Sequence, residues 1–338
     1  MNDKAWMVKE PGGRFELSAL APISPGENQV AVRICASGVN PLDTKIRAGR
    51  ADHARQPLPA ILGIDMAGIV EKAGAKVSRF RAGDAVYGMA GGVGGLQGTL
   101  AETIVVDADL LAHKPRNLSM REAAVLPLAA ITAWEGLIDR AKIQEGQTVL
   151  IHAGAGGVGN IALQLARAYG AKVFATISTA KKNIVEDLGA VAIDYRSLSV
   201  EQYVASCTAG EGFDVVFDTV GGATLDASFI SVKRYTGHVL SSLGWGTHSL
   251  APLSFRGATY SGVFTLLPLL SGNNRSHHGK ILAAITALAE AGKIKPLLSQ
   301  RHFLPADLES AYADVEAGSF GKVAIEIAPN SEASQKYL

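Results

Sequence analysis

The sequence feature that most constrains the fold is a glycine-rich turn between an apolar strand and a helix. The turn has the spacing GxGxxG and consists of Gly154, Ala155, Gly156, Gly157, Val158 and Gly159. The run Val149-Leu-Ile-His leads into it, and Ile161-Ala-Leu-Gln-Leu-Ala follows it. In this context the glycines allow a tight turn, close approach of a pyrophosphate to the backbone, and close packing of the helix on the strand. The pattern predicts that these six residues bind a dinucleotide at the N-terminus of the helix. The alternative is a flexible glycine turn between ordinary elements.

The segments around this turn predict a doubly wound parallel sheet. From Thr148 to about Leu243, short apolar runs alternate with helical segments, a pattern typical of parallel strands joined by right-handed crossovers. The predicted strands are Thr148–His152, Lys172–Ile177, Val191–Asp194, Asp214–Asp218 and Gly237–Leu243. The predicted helices are Asn160–Tyr169, Lys181–Leu188, Val200–Thr208 and Thr224–Ile230.

The two ends of the chain have a different pattern. Before Ser119, short strands with glycine on their flanks predict a compact, barrel-like β domain. These strands are Val30–Ala36, Ile64–Ala73, Asp84–Met89 and Thr99–Val106. After about Leu267 we predict a helix over Gly279–Ala291, a helix near Leu308–Ala317 and a last strand, Lys322–Ile327, which we expect to return to the N-terminal domain. A chain of 338 residues has the length of two domains, and we assign 1–123 with 268–338 to the first and 124–267 to the second.

The composition excludes several classes of protein. Hydrophobic residues make up 48% and the net charge is +1, which excludes a disordered chain. The 32 basic residues are offset by 31 acidic ones, which argues against nucleic-acid binding by bulk charge. Cys35 and Cys207 are too few for a disulfide framework or a four-cysteine zinc site. Residues 257–274, the longest uncharged stretch, are too interrupted to span a membrane, and no signal peptide is evident, so we expect a soluble protein of the bacterial cytoplasm.

The residue after the second predicted strand favours NADPH over NADH. In this fold an acidic residue about 20 positions after the glycines binds the ribose 2′-hydroxyl of NAD. Here Ser178 stands 19 positions after Gly159, and the run continues Thr-Ala-Lys181-Lys182 with no carboxylate before Glu186. A hydroxyl and a lysine can donate to a 2′-phosphate, which a carboxylate would repel. The alternative is that both lysines are solvated at the start of a helix.

The sequence lacks the groups that reduce an isolated ketone. Hydride transfer to such a ketone places full charge on one oxygen, which enzymes stabilise with a Lewis-acid metal or a positioned proton donor. The sequence has no His/Cys cluster with zinc spacing, and no Tyr is followed by Lys four residues later. A quinone or an enone spreads this charge over a conjugated system. We therefore predict no metal and a conjugated acceptor.

A set of motifs extends over nearly the whole chain. The most extended is Gly146-Gln-x-x-Leu150-x-x-x-Gly154-Ala-Gly156-Gly-x-Gly159-x-x-x-x-Gln164-x-x-Arg167. Shorter ones are Gly38-Val-Asn40-Pro-Leu-Asp43, Leu62-Gly63-x-Asp65-x-Ala-Gly68, Gly83-Asp84-x-Val86 and Thr132-Ala-Trp134. Together they resemble the zinc-independent medium-chain dehydrogenase/reductases, in particular the quinone oxidoreductase (zeta-crystallin-like) family. The resemblance implies a GroES-like β-barrel catalytic domain, a Rossmann domain with a doubly wound parallel sheet, and NADPH in the cleft.

The same resemblance implies roles for individual residues. Asn40 stands where zinc-dependent relatives place the catalytic-metal cysteine, and Ile64 and Asp65 stand where they place a His-Glu pair. Asn40 and Asp43 would shape the acceptor end of the site, with Arg47 as a candidate polarising cation. The residues implied to hold the 2′-phosphate are Ser178, Lys182 and Tyr195. Those implied to hold or close on the nicotinamide half are Thr132, Leu243, Val263, Phe264, Gly321 and Lys322.

Other interpretations stay open at this point. Asn40 and Asp43 precede a short predicted helix and could cap its backbone N–H groups. Asp65 could make only a local hydrogen bond, and Lys322 could be a surface charge. The activity could be limited to alkenals and enones without quinones, or the chain could bind NADPH without turnover as a crystallin-like or regulatory protein. A zinc alcohol dehydrogenase is the least favoured alternative.

Two further segments carry predictions. The uncharged run 258–270 predicts an exposed strand edge through which two copies pair, as relatives do, into a homodimer. The segment Gly91–Gly98 is as glycine-rich as the phosphate-binding turn, but no helix follows it, so we predict a mobile loop that borders the substrate pocket.

Overall fold

The computed structural model describes residues 3–318 and 320–327. The chain divides into two compact units, one formed by Met1–Leu128 with Leu266–Leu338 and the other by Ala129–Thr265. In the structure the boundaries between the two units therefore fall after residues 128 and 265. The sequence pattern predicts them after residues 123 and 267. The part of the predicted range beyond residue 327 lies outside the described residues. No helix in the described residues is both long and apolar enough to cross a membrane.

The described residues form fifteen strands and eleven α-helices. The strands are β1 (Asp3–Val8), β2 (Glu16–Leu20), β3 (Gln29–Val39), β4 (Ala60–Ile61), β5 (Asp65–Ala73), β6 (Ala85–Met89), β7 (Thr103–Asp107), β8 (Leu111–His113), β9 (Thr148–Ile151), β10 (Lys172–Ile177), β11 (Val191–Asp194), β12 (Val215–Asp218), β13 (His238–Ser241), β14 (Thr259–Gly262) and β15 (Val323–Glu326). The helices are α1 (Pro41–Arg47), α2 (Met120–Ala124), α3 (Pro127–Trp134), α4 (Gly157–Ala168), α5 (Lys182–Asp187), α6 (Val200–Thr208), α7 (Ala223–Ser231), α8 (Ala251–Ser254), α9 (Leu267–Ser271), α10 (Arg275–Glu290) and α11 (Leu308–Glu316). A π-helical turn, Glu135–Arg140, continues α3.

The first unit is built on two antiparallel sheets. One has the order β2-β1-β4, and the other has the order β15-β3-β5-β6-β8 with β7 also paired to β3. An isolated bridge between Ala5 and Ala101 links the first sheet to the segment before β7. In the second sheet β15 runs antiparallel to β3, with Val323 opposite Val39. This pairing confirms that the C-terminal segment returns to the N-terminal domain.

The second unit confirms the predicted doubly wound parallel sheet. Its six strands are all parallel and have the order β11-β10-β9-β12-β13-β14. The chain runs outward from β9 through β10 to β11 and then crosses back to β12, so the strand order reverses between β9 and β12. In open α/β sheets a ligand binds outside the carboxyl ends of the strands at such a point. A buried apolar cluster supports the sheet, and its largest side chains are Phe213, Phe229 and Tyr203.

Two segments differ from the sequence prediction. In the run 258–270 only Thr259–Gly262 is a strand, and α9 begins at Leu267, because Pro268 fits the first turn of a helix. The segment Gly91–Gly98, predicted to be a mobile loop, makes hydrogen bonds to the segment 54–56. The Gly94 N–H donates to the Ala54 oxygen at 2.9 Å, and the Gly95 N–H donates to Oε1 of Gln56 at 2.9 Å. The backbone within the segment is also closely packed, since a Cβ at Gly91 would lie 1.8 Å from the Gln97 oxygen.

Candidate functional site

The glycine turn connects β9 to α4 at the point where the strand order reverses. At two of its positions neighbouring atoms leave no room for a side chain. A Cβ at Gly159 would lie 2.2 Å from the Ala153 oxygen, and a Cβ at Gly154 would lie 2.5 Å from Cβ of Ala175. At Gly156 the nearest atom would be the Ala153 oxygen at 3.0 Å. Gly156 precedes α4 as its N-cap and offers no side-chain cap. The first N–H groups of α4 are therefore open to an anionic group.

Two buried polar side chains lie beside this turn at the carboxyl ends of β9 and β12. Nδ1 of His152 is 3.0 Å from Oγ1 of Thr176, and burial lowers the pKa of His152 to about 4, so the imidazole is neutral at pH 7. Asp218 is fully buried and accepts the backbone N–H groups of Val220 at 3.0 Å and Gly221 at 2.9 Å. These bonds fix the backbone that follows β12.

A hydrogen-bond relay extends from Asp218 to the segment after β13. The hydroxyl of Ser241 donates to Asp218 at 2.7 Å, and the Leu243 N–H donates to that hydroxyl oxygen at 3.1 Å. The Val263 N–H donates to the Ser241 carbonyl oxygen at 2.9 Å. The relay therefore orders the backbone at two residues expected to hold the nicotinamide half, Leu243 and Val263. Of the other two in this unit, Thr132 is buried in α3 and Phe264 is partly exposed.

The edge formed by β10 and β11 carries the residues expected to hold a 2′-phosphate. Ser178 directly follows β10 and Tyr195 directly follows β11, and the parallel register that sets Ile177 opposite Asp194 brings them side by side. Tyr195 is 54% exposed, and Nζ of Lys182 is 3.7 Å from Glu186 in an exposed ion pair. Sequence spacing did not reveal Asp194, which the sheet brings to this edge. Its carboxylate accepts from the Thr179 hydroxyl, and that bond lowers its pKa.

In the first unit, Asn40 and Asp43 lie buried at the start of α1. Oδ2 of Asp43 accepts the backbone N–H of Asn40 at 2.8 Å, so the capping role left open by the sequence is present for Asp43. The Asp43 N–H in turn donates to the backbone oxygen of Asn40 at 2.9 Å. The Asn40 carboxamide also has two partners outside α1.

The carboxamide of Asn40 lies between a cation and a carboxylate. Nζ of Lys322 donates to Oδ1 of Asn40, and Nδ2 of Asn40 donates to Oδ2 of Asp65 at 3.0 Å. The other oxygen of Asp65 accepts the Leu128 N–H at 3.0 Å. Asp65 is fully buried and Lys322 is 9% exposed, so neither is a surface charge.

Burial changes the protonation of this cluster. It raises the pKa of Asp43 to about 7 and that of Asp65 to about 6, and it lowers the pKa of Lys322. The nearby Asp65 further raises the pKa of Asp43, and the Lys322 charge opposes both carboxyl shifts. Near neutral pH Asp65 is mostly ionised and Asp43 carries a proton for part of the time.

Arg47, the other cation expected at the acceptor end, is engaged elsewhere. Its guanidinium donates to Glu309 at 2.5 Å and to the Gly13 oxygen at 3.0 Å, and it lies 4.7 Å from the ring centre of Phe15. A pocket of about 370 Å³ opens beyond the C-terminal end of α1, lined by residues that include Ile46, Gly49 and Gln56. The structure thus places Lys322 beside Asn40 and ties Arg47 to α11.

Comparisons with known proteins match both units. Residues 26–116 match the family model for the alcohol dehydrogenase GroES-like domain, and residues 157–271 match that for zinc-binding dehydrogenase. The chain is 35% identical to 2-methylene-furan-3-one reductase of Solanum lycopersicum, over 96% of this chain and 79% of that protein. It is 34% identical to a chloroplastic NADPH-dependent alkenal/one oxidoreductase of Arabidopsis thaliana, over 95% and 79%.

Solved structures agree with these matches. An alcohol dehydrogenase superfamily protein from Novosphingobium aromaticivorans has a TM-score of 0.94 and 56% identity, over 96% of this chain and 100% of that one. A quinone oxidoreductase from Pseudomonas syringae has a TM-score of 0.82 and 29% identity, over 96% and 100%.

The residues that the structure describes do not fit the zinc ion in the name of the second family model. In the part of the chain that the structure describes, no three His, Cys, Asp or Glu side chains come together as metal ligands. At Asn40 the neighbouring charge is the Lys322 ammonium, which would repel a metal cation. Zinc therefore has no ligand set in these residues.

Proposed function

Because this chain belongs to the medium-chain dehydrogenase/reductase family, we propose that it is an NADPH-dependent reductase of quinones or α,β-unsaturated carbonyl compounds that works without a metal. The observation that carries the proposal is the buried cluster around Asn40, which offers an amide and an ammonium but no metal ligand set. Such a site suits an acceptor whose own conjugation spreads the developing charge.

NADPH, when bound, supplies the hydride. The glycine turn and the N-terminus of α4 would hold its pyrophosphate. Ser178, Lys182 and Tyr195 would hold the 2′-phosphate, and this requires the Lys182 side chain to leave its exposed partner Glu186, a weak ion pair. The backbone ordered by Asp218 and Ser241 would orient the nicotinamide half.

Asn40 and Asp43 of the first unit would contact the acceptor, and solvent would supply the proton that completes the reduction. The segment Gly91–Gly98 and the residues around Gln56, which hydrogen-bond to each other, would border the acceptor. Their packing against each other would limit which acceptors fit.

A narrower activity, limited to alkenals and enones, is favoured by the names of two relatives. The relatives that are 35% and 34% identical are named for a methylene-furanone and for alkenals and alkenones, whereas the quinone oxidoreductase structure is 29% identical. Both activities use the same cofactor and the same hydride transfer.

Steady-state rates of NADPH oxidation with 1,4-benzoquinone, 9,10-phenanthrenequinone and trans-2-hexenal test these proposals. We expect turnover with hexenal and with at least one quinone. Turnover with hexenal alone would establish the narrower activity. If stopped-flow mixing of the NADPH complex with all three acceptors consumed no hydride, the chain would be a binding protein and the proposal would be wrong.

We also propose that two copies pair through β14 and that the protein works in the cytoplasm. In the described part of the second unit β14 is the last strand of the sheet, paired only to β13, and an unpaired strand edge is a template for a second chain. Sedimentation velocity at micromolar concentration should show a dimer, and a monomer would contradict the pairing.

A further inference from the structure

The carboxamide of Asn40 is fixed in one orientation by the charges at its two ends. Its oxygen accepts from the Lys322 ammonium, and its nitrogen donates to the Asp65 carboxylate at 3.0 Å. Rotating the amide by half a turn would set its N–H groups against the ammonium and its oxygen against the carboxylate. Since all three side chains are buried, water cannot replace the lost bonds, and the rotated state is strongly disfavoured.

The two charged partners are themselves held by the backbone. Oδ1 of Asp65 accepts the Leu128 N–H at 3.0 Å. The backbone N–H of Lys322 donates to Leu297 at 2.7 Å, and its oxygen accepts from Ser299 at 2.9 Å. The Asn40 amide is therefore set in place by groups that belong to the scaffold of the first unit.

The contact with Lys322 changes the chemistry of the amide. An ammonium on the amide oxygen draws electron density from the nitrogen, so the N–H groups become stronger donors, as in other hydrogen-bond chains in a low-dielectric interior. Of the two hydrogens on Nδ2, one serves Asp65, and the hydrogen bonds of the described residues give the second no partner.

We propose that Lys322 and Asp65 are positioning residues that direct the second amide hydrogen of Asn40 to the carbonyl oxygen of the acceptor. The inference rests on the proposed function. In the reduction of an enone, the hydride pair forms the new bond to the β-carbon, the π pair of the C=C bond shifts, and negative charge develops on the carbonyl oxygen. A proton from solvent then adds at the α-carbon. The polarised amide of Asn40 stabilises the charge between these two events.

Two other assignments of the cation fit the structure less well. Arg47 is bound to Glu309 and packed on Phe15, so its charge is already neutralised away from Asn40. A direct contact of Lys322 with the cofactor, which the sequence implied, would require Lys322 to leave the oxygen of Asn40 and would leave Asp65 without its counter-charge.

The test compares two acceptors in the variant K322M. With trans-2-hexenal the charge is shared between one oxygen and the α-carbon, and we expect kcat to fall about 10- to 100-fold, less than the loss from deleting an oxyanion donor outright. With 9,10-phenanthrenequinone the charge is shared between two oxygens and the ring, and we expect the smaller loss. The KM for NADPH should stay within about twofold of the wild-type value, because in this proposal Lys322 does not contact the cofactor.

Three further variants keep the result interpretable. K322R retains the charge and should recover most of the activity with hexenal. K322M/D65N removes both charges of the buried pair, so it should fold even if K322M does not, and it should remain slow with hexenal. K280M removes an exposed lysine of α10 in the same unit and should behave as the wild type.

Three results would overturn the proposal while the wild type is active. The first is an unchanged kcat with hexenal in both K322M and K322M/D65N. The second is a loss of kcat in K322M that is equal with both acceptors. The third is a rise in the KM for NADPH of about tenfold or more, which would indicate a lost binding contact. An inactive wild type would overturn the proposed function and this inference with it.

Discussion

Replacing the three glycines of the turn one at a time by alanine should separate the stability of the second unit from its affinity for NADPH. At Gly159 the new Cβ would meet the Ala153 oxygen at 2.2 Å, and at Gly154 it would meet Cβ of Ala175 at 2.5 Å. Overpacking of this kind costs about 1–3 kcal/mol. At Gly159, which lies in α4, the better helix propensity of alanine offsets about 1 kcal/mol of this loss in folding free energy. We expect a net loss of about 2 kcal/mol for G154A and about 1 kcal/mol for G159A. At roughly 2 °C per kcal/mol for a long chain, Tm should fall by about 4 °C and about 2 °C, respectively.

Gly156 should respond in the opposite way. Its Cβ would meet the Ala153 oxygen at 3.0 Å and nothing closer, so the folded chain can accommodate it. The loss of a favourable N-cap residue and the gain from a stiffer unfolded chain are each below about 1 kcal/mol and oppose each other. The methyl group would hold the pyrophosphate away from the backbone, however. Losing one hydrogen bond to a charged group costs about 1.5–3 kcal/mol, which is roughly a 10- to 100-fold weaker Kd.

The assay measures both quantities on G154A, G156A and G159A. Thermal unfolding followed by circular dichroism without cofactor gives Tm, and fluorescence titration gives the Kd for NADPH. The close-approach argument is refuted if G156A lowers Tm as much as G159A while its Kd for NADPH equals that of the wild type.

Three other perturbations test the cofactor, the cluster and the metal. S178D should lower the ratio of kcat/KM for NADPH to that for NADH by about tenfold or more, about 1.4 kcal/mol, because a carboxylate repels the 2′-phosphate. The raised pKa of Asp43, about 7, means that the folded state keeps a proton between about pH 4 and 7 that the unfolded state releases. The free energy of unfolding should therefore fall as pH rises through that window, and D43N should flatten the fall in urea titrations at pH 5 and pH 8. Dialysis against 1,10-phenanthroline should leave kcat with hexenal unchanged, because the described residues offer zinc no ligand set.

Each of these expectations has a contrary result. If S178D left the ratio of kcat/KM for NADPH to that for NADH unchanged, Ser178 would not hold the 2′-phosphate. A carboxylate at this edge, such as that of Asp194, would then not exclude the phosphate either. A pH dependence of unfolding that is as steep in D43N as in the wild type would place the proton elsewhere. Activity that is lost on dialysis and restored by zinc would restore the zinc alcohol dehydrogenase as a candidate.

Local pattern was sufficient to predict the second unit. The strands Lys172–Ile177 and Val191–Asp194 were predicted to the residue because each is a short, mostly apolar run between two helical segments. The first two strands, Asp3–Val8 and Glu16–Leu20, were not predicted. Only two of their side chains are buried, so their sequences lack the alternation that marks a half-buried strand.

The site could be predicted only in part, because spacing along the chain does not say which distant strands become neighbours. Asn40 and Asp43 were found through a motif, yet their partners Asp65 and Lys322 come from β5 and from the residue before β15. One signal was available: Asp65 is a charged residue inside the apolar run Leu62–Ala67, where a carboxylate needs a buried partner. Nothing in the sequence identified Lys322 as that partner, because β15 reaches β3 from the other end of the chain.

The pairing of β15 with β3 also sets an order of events during synthesis. Residues 129–265 leave the ribosome before Val323. The second unit therefore has all the strands of its sheet while the first unit still lacks β15. At about 5–20 residues per second, β15 follows several seconds later. Until then the first unit contains Asp65 but not Lys322, whose charge favours the ionised form of that carboxyl in the folded protein. A chain that ends within residues 266–321 would thus contain every strand of the parallel sheet but not β15, the strand that pairs with β3.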